Sequence, residues 1–209
     1  MSNIIEKITL YDILGYTIPG IAFLITLGWG YWSYGNFGLP EDIGVYSDHA
    51  GIIVTGLVFA GYLAGMLVSE MADLLTGFIK QWNWFQDKDE LRDIELGMIA
   101  KALKEAKVIA DVRDLQDHAD VMKKHMGFLY GQVQSDAKYS RLHNYASAEL
   151  ICKNMAFVFF AFTVAAVFAC QFYLALAGLV CSFLFMRRWR SNYWRKNYYV
   201  VVWFIQMYL

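Results

Sequence analysis

Along the chain, long uncharged stretches alternate with one long polar segment. No residue between Ile13 and Tyr34 is charged, and about 22 residues at 1.5 Å each give roughly 33 Å of helix, enough for a hydrocarbon core of about 30 Å. A second stretch runs from Gly51 to Ser69 and ends at Glu70 and Asp73, which fall at or just beyond a membrane surface. From Met155 to Met186 there are 32 residues without a charge, about 48 Å as one helix, which is too long for a single span without strong tilt. Two spans of about 17 residues fit better, joined by a tight turn around Cys170 and Gln171, with the first starting near Glu149 and Lys153 snorkelling at its mouth. The pattern predicts an all-α fold: a polytopic membrane protein with four transmembrane helices and a helical cytoplasmic insert.

The insert reads differently. From Asp87 to Gln116, the residues Leu91, Ile94, Met98, Ile99, Leu103, Ala106, Ile109 and Val112 recur at helical spacing, which predicts one amphipathic helix of about 30 residues. A second helix is expected over Ala119 to Gln132. A third begins near Asp136 and runs without Gly or Pro into the third span. At the far end, Asn197 to Leu209 is apolar and aromatic but, at about 13 residues, too short to span, and it reads as an interfacial or protein-packed helix. The layout is therefore 1–79 as an N-terminal membrane hairpin (spans about 13–34 and 51–69), 80–148 as the insert, 149–186 as a C-terminal membrane hairpin, and 187–209 as a basic, aromatic, cytoplasmic interfacial helix.

Composition agrees with a bilayer. Of 209 residues, 58% are apolar, 17% aromatic and 18% charged, and the mean hydropathy is +0.35; soluble domains carry about 25% charged residues. Eighteen basic residues nearly cancel 19 acidic ones, which excludes a strongly basic nucleic-acid binder. Cys152, Cys170 and Cys181 show no Cys-x-x-Cys spacing, so neither a disulfide framework nor a zinc site is indicated. The first span is too long for a signal-peptide core and lacks a basic leader, and is read as retained. Charge placement sets orientation. The loop from Gly35 to Ala50 has no Lys or Arg, whereas 80–148 carries eleven basic residues against eleven acidic ones, and five more lie between Arg187 and Lys196. Four spans put every basic residue on the cytoplasmic side, with both termini inside. Arg187, Arg188, Trp189, Arg190, Trp194, Arg195 and Lys196 are then anchors at the membrane surface.

The candidate chemistry is sparse. Gly56, Gly61 and Gly65 lie on the second span, and Gly61 to Gly65 is a GxxxG that lets another helix approach closely. Pro19 breaks an internal hydrogen bond about one turn into the first span, where a kink is expected. Glu70, Asp73 and Glu149 could line a pore or relay path, with a solvated collar as the plainer alternative. Glu149 and Lys153 stand at i, i+4, the spacing of an ordinary helical ion pair. Arg113 and His118 match Arg-x-x-x-x-His, the motif of helical HEPN ribonucleases, in which arginine polarises phosphate and histidine moves a proton. Its brevity makes a solvated helix end the simpler reading. Asp114, His118 and His125 could form a metal-facing stripe, but no thiolate joins them and a packing histidine is the expected state of His125. No metal and no cofactor are expected. With no titratable residue near mid-bilayer, a proton-coupled transporter is disfavoured, and a pore would need a homo-oligomer packed through the glycine face.

Tyr-Asp-Ile-Leu-Gly-Tyr-Thr-Ile-Pro-Gly at the first span, Ala60-Gly61-Tyr62-Leu63-Ala64-Gly65 in the second, the helical insert and the closing hairpin together resemble small four-helix membrane proteins of bacterial antiphage loci. These are the membrane subunit of the Kiwa system and the accessory membrane proteins beside type VI-B CRISPR nucleases. The resemblance implies a non-enzymatic, homo-oligomeric inner-membrane protein that senses or relays a membrane disturbance to a cytosolic effector protein, without direct nucleic-acid contact. A pore-forming effector and a membrane-tethered HEPN-like ribonuclease are the alternatives.

Overall fold

The computed structural model describes residues 2–35, 50–79, 93–109, 124–136 and 141–209. Six helices account for nearly all of them: α1 (Ser2–Gly35), α2 (Ala50–Ile79), α3 (Asp93–Glu105), α4 (Met126–Ser135), α5 (Arg141–Phe168) and α6 (Phe172–Tyr208). No strand occurs among the described residues. Three helices, α2, α5 and α6, are long and apolar enough to cross a membrane. In α1 the apolar residues are diluted by Thr17, Pro19, Gly20, Thr26, Gly28 and Gly30. The chain divides into two compact units, one of Met1–Lys80 with Ser147–Arg190 and the other of Gln81–Ala146 with Ser191–Leu209. Helices α5 and α6 each contribute residues to both.

In the first unit, α1 and α2 run antiparallel. Tyr16 meets Gly65 and Gly20 meets Gly61, and the rings of Tyr16 and Tyr62 stand edge to face at 5.9 Å. Helix α5 instead runs parallel to α1, since the contacts advance together along both: Gly15 with Leu150, Phe23 with Phe157 at 6.4 Å, Trp29 with Phe162 at 5.0 Å, and Gly30 with Ala165. Helix α6 returns antiparallel to α5. Ser182 Oγ donates to the Ala156 carbonyl at 2.9 Å, Phe159 stacks on Phe185 at 5.5 Å, and a Cβ on Gly178 would lie 2.7 Å from Thr163 Oγ1. The turn between them falls where the uncharged stretch predicts. Cys170 has φ 57°, and the N–H groups of Cys170 and Gln171 donate to the carbonyls of Val167 and Ala166. This pair of bonds is a Schellman closure, with cysteine in the left-handed position that usually holds glycine.

The second unit has a core of large side chains. Ile99, Ala102 and Leu103 of α3, Leu129 and Val133 of α4, Leu142 of α5, and Val200, Val201 and Phe204 of α6 are all at most 1% exposed and form one cluster. Fully burying one Leu, Ile, Val or Phe contributes roughly 1.5–3 kcal/mol. An expectation changes at α3. The helix ends at Glu105 rather than continuing to Gln116, because Lys107 takes φ 58°. Its N–H and that of Val108 close on the carbonyls of Lys104 and Leu103. The turn brings Val108 and Ile109 onto the cluster; a continued helix would set Val108 about 180° from Ile99. Met98, placed on the apolar face by its spacing, is 46% exposed while Ile99 next to it is fully buried. Helix α4 occupies Met126–Ser135, and residues 119–123 of the expected second helix lie outside the described residues. The C-terminal stretch uses its apolar face in protein: Val200, Val201 and Phe204 pack on α3 and α4 residues.

Candidate functional site

The most constrained chemistry in the first unit surrounds Pro19. Proline has no N–H, so the carbonyl four residues back, that of Gly15, loses its helical donor. Asn154 of α5 supplies the replacement, with its Nδ2 donating to the Gly15 oxygen at 3.2 Å. In lipid, where water cannot satisfy a freed carbonyl, a neighbouring helix has to do so. The glycine eases the approach: a Cβ at residue 15 would lie 2.8 Å from Leu150 Cδ2, so the leucine side chain would have to shift. Asn154 is fully buried, and its Oδ1, like Thr17 Oγ1, has no hydrogen-bond partner among the described residues.

The residue beside Asn154 makes the second tie. Lys153 Nζ reaches both carboxylate oxygens of Asp73, at 2.7 and 2.8 Å. The Lys153 side chain is only 11% exposed, against 59% for Asp73, so the carboxylate neutralises an ammonium mostly withdrawn from solvent while remaining wet itself. Lys153 thus makes a bond between helices; Glu149 is half-buried and has interactions of its own. Two consecutive residues of α5 thus clasp α1 and α2.

The glycines divide in the same way. A Cβ on Gly65 would overlap the Tyr16 carbonyl, one on Gly61 would overlap Ile21 Cγ1, and one on Gly20 would overlap the Gly61 carbonyl. Gly61 and Gly65 thus lie against α1 of the same chain. Gly56 has nothing within 4 Å, and residues 51–60 of α2 are all exposed.

Among the other candidates, Glu70 is exposed and on the same helix as Asp73. Arg187, Arg188 and Arg195 are exposed, whereas Arg190, Trp194 and Lys196 are half-buried. Trp189 is only 1% exposed, so its indole is held in protein rather than at a lipid surface. Lys196 lies over the rings of Tyr130 and Tyr193, at 5.7 and 5.6 Å, as a cation–π contact. Arg113, Asp114 and His118 fall outside the described residues, and His125 is half-buried just before α4. No metal-binding group of three appears among the described residues. The clasp was missed in the sequence because its partners are 139 and 80 positions apart. The one available signal was Pro19, whose freed carbonyl demands a donor, together with the Asn in an otherwise apolar span.

The arrangement contains no nucleophile paired with a base; it joins helices. Among the described residues three helices are long and apolar enough to cross a membrane, and most of the exposed large apolar side chains belong to the first unit, a pattern that suggests a helical membrane protein. No family model, characterised protein or solved structure matches it.

Proposed function

We propose that the chain is a four-span protein of the bacterial inner membrane that relays a membrane disturbance to a cytosolic effector protein in antiphage defence, without catalysing a reaction. In this reading α1 is the fourth span; its parallel course alongside α5, from Gly15–Leu150 to Gly30–Ala165, supports that. The second unit lies in the cytoplasm, as the charge asymmetry of the loops argues. The observation that carries the relay is continuity: α5 and α6 supply both the clasp-bearing unit and the core of the other unit without a break in either helix. A shift of α5 against α1 would therefore involve residues of the same helix that build the second core. The chain acts with the bilayer, a second copy of itself and the effector as partners, and the antiphage setting rests on the resemblance of the two span motifs.

The test is phage plating on cells that carry the chain with its neighbouring genes. Deleting the chain is expected to raise plating efficiency by at least tenfold, and Asn154→Leu to do so while the protein remains in the membrane fraction. Unchanged plating after deletion would sink the defence role. Conductance of the purified protein in liposomes would replace the relay with the pore.

A further inference from the structure

We propose that Arg187 and Arg188 bind the phosphate of an anionic phospholipid at the edge of the membrane unit. The inference rests on the four-span reading. Along α6 the exposed residues Leu176, Val180, Phe183 and Leu184 form one apolar face, at 61%, 49%, 56% and 54% exposure. The opposite face, with Ala175, Ser182, Met186 and Trp189, is buried. Arg187 and Arg188 follow Leu184 by three and four residues, so at about 100° per residue they flank it one turn further along. Both are exposed, and no described residue pairs with either guanidinium.

Two exposed guanidiniums directly beneath a lipid-facing column are placed for one kind of anion. Acyl chains must cover Val180 and Leu184, so the phosphates adjoining that column belong to the same lipids. Helical side chains tilt toward the N-terminus of their helix, which on α6 aims both arginines back toward Leu184 and the hydrocarbon edge. The planar fork of arginine matches two phosphate oxygens at once. A nucleic acid or an acidic protein would need to reach the same spot through the headgroup layer, which favours the lipid.

The experiment uses the full chain in mild detergent, with lipid retention read by native mass spectrometry. Phosphatidylglycerol is expected to stay bound in preference to phosphatidylcholine, and soluble glycerol phosphate not to displace it. At about fivefold per arginine, R187Q/R188Q should lower the preference by tenfold or more. R187K/R188K should keep a weaker preference that falls with salt, and K101Q, which removes one exposed charge from the other unit, should leave it unchanged. Equal retention of the two lipids, displacement by glycerol phosphate, or a preference that survives R187Q/R188Q in a protein of unchanged elution volume would overturn the proposal. If R187Q/R188Q fails to fold, a weakened preference in the lysine variant at low salt counts for the fork, and full preference in it counts against the fork. Extraction of the wild-type chain from membranes by alkaline carbonate would overturn the four-span reading itself; a chain that resists extraction yet shows no lipid preference overturns only the lipid site.

Discussion

The two units solve the packing problem in opposite ways. In the second, large apolar side chains such as Ile99, Leu103, Leu129 and Phe204 are inside, the arrangement that water imposes. In the first, the buried set is mostly small or polar, including Ala72, Ala156, Ala166, Thr17, Ser69, Thr76, Asn154 and Ser182, with Val68, Val158, Met186 and Trp189 as its larger apolar members, while Ile52, Leu67, Leu74, Phe172 and Tyr173 are 68–93% exposed. Among the described residues, all of the exposed large apolar side chains except Met98, Phe128, Tyr198 and Leu209 belong to the first unit. Lipid is as apolar as leucine, so burying leucine there contributes little, and helices gain instead from close backbone contact and internal hydrogen bonds. The same chain thus carries a water-type core and a lipid-type core.

That contrast can be broken by substitution. The largest effect is expected for Phe204→Ala, which empties the middle of the water-type core and should cost about 3–5 kcal/mol. Leu67→Ala, on the outer face of the other unit, should change stability by less than about 0.5 kcal/mol. Urea or thermal unfolding in detergent compares them, and similar losses would erase the distinction between the cores. Next comes Gly65→Leu. Its side chain has no room beside the Tyr16 backbone, and overpacking of roughly 3 kcal/mol should part α1 from α2. Gly56→Leu, in open space, should be silent, with disulfide trapping between cysteines placed on α1 and α2 as the readout.

A smaller effect tests the clasp itself. Asn154→Leu leaves the Gly15 carbonyl buried without a donor and should cost about 1–3 kcal/mol. In a Pro19→Ala background the helix supplies its own N–H, and the same substitution should then cost much less. A double-mutant cycle with no coupling would mean that Asn154 does not stand in for the missing N–H. The smallest effect is a gain. Cys170→Gly in one unit and Lys107→Gly in the other should each stabilise by roughly 0.5–1 kcal/mol, because glycine takes the left-handed position without strain. Destabilisation at either site would show that the side chain contributes more than the backbone conformation costs.

Where the units differ, so does what could be read in advance. The apolar lengths of α2, α5 and α6 and the turn near Cys170 were legible because contact with lipid selects hydrophobicity residue by residue, whatever the neighbours. The water-type core was half legible. Periodicity marked Ile99 and Leu103, but it also carried the helix past Glu105, since Ala106, Ile109 and Val112 keep the spacing and no glycine announces the turn at Lys107.

The sequence by itself therefore determined which segments are helical, which surfaces are apolar, and that Pro19 leaves a carbonyl without a donor. Only the tertiary structure decided what answers that carbonyl. Asn154 is 139 positions from Gly15 and Asp73 is 80 from Lys153, and nothing local to any of them encodes the other. It likewise decided that Gly61 and Gly65 lie against α1 of the same chain, while Gly56 does not, and that Trp189 is buried among protein groups. Hydrophobic length is a property of a segment, whereas a hydrogen bond or a glycine contact is a property of two, and only folding brings the second one into place.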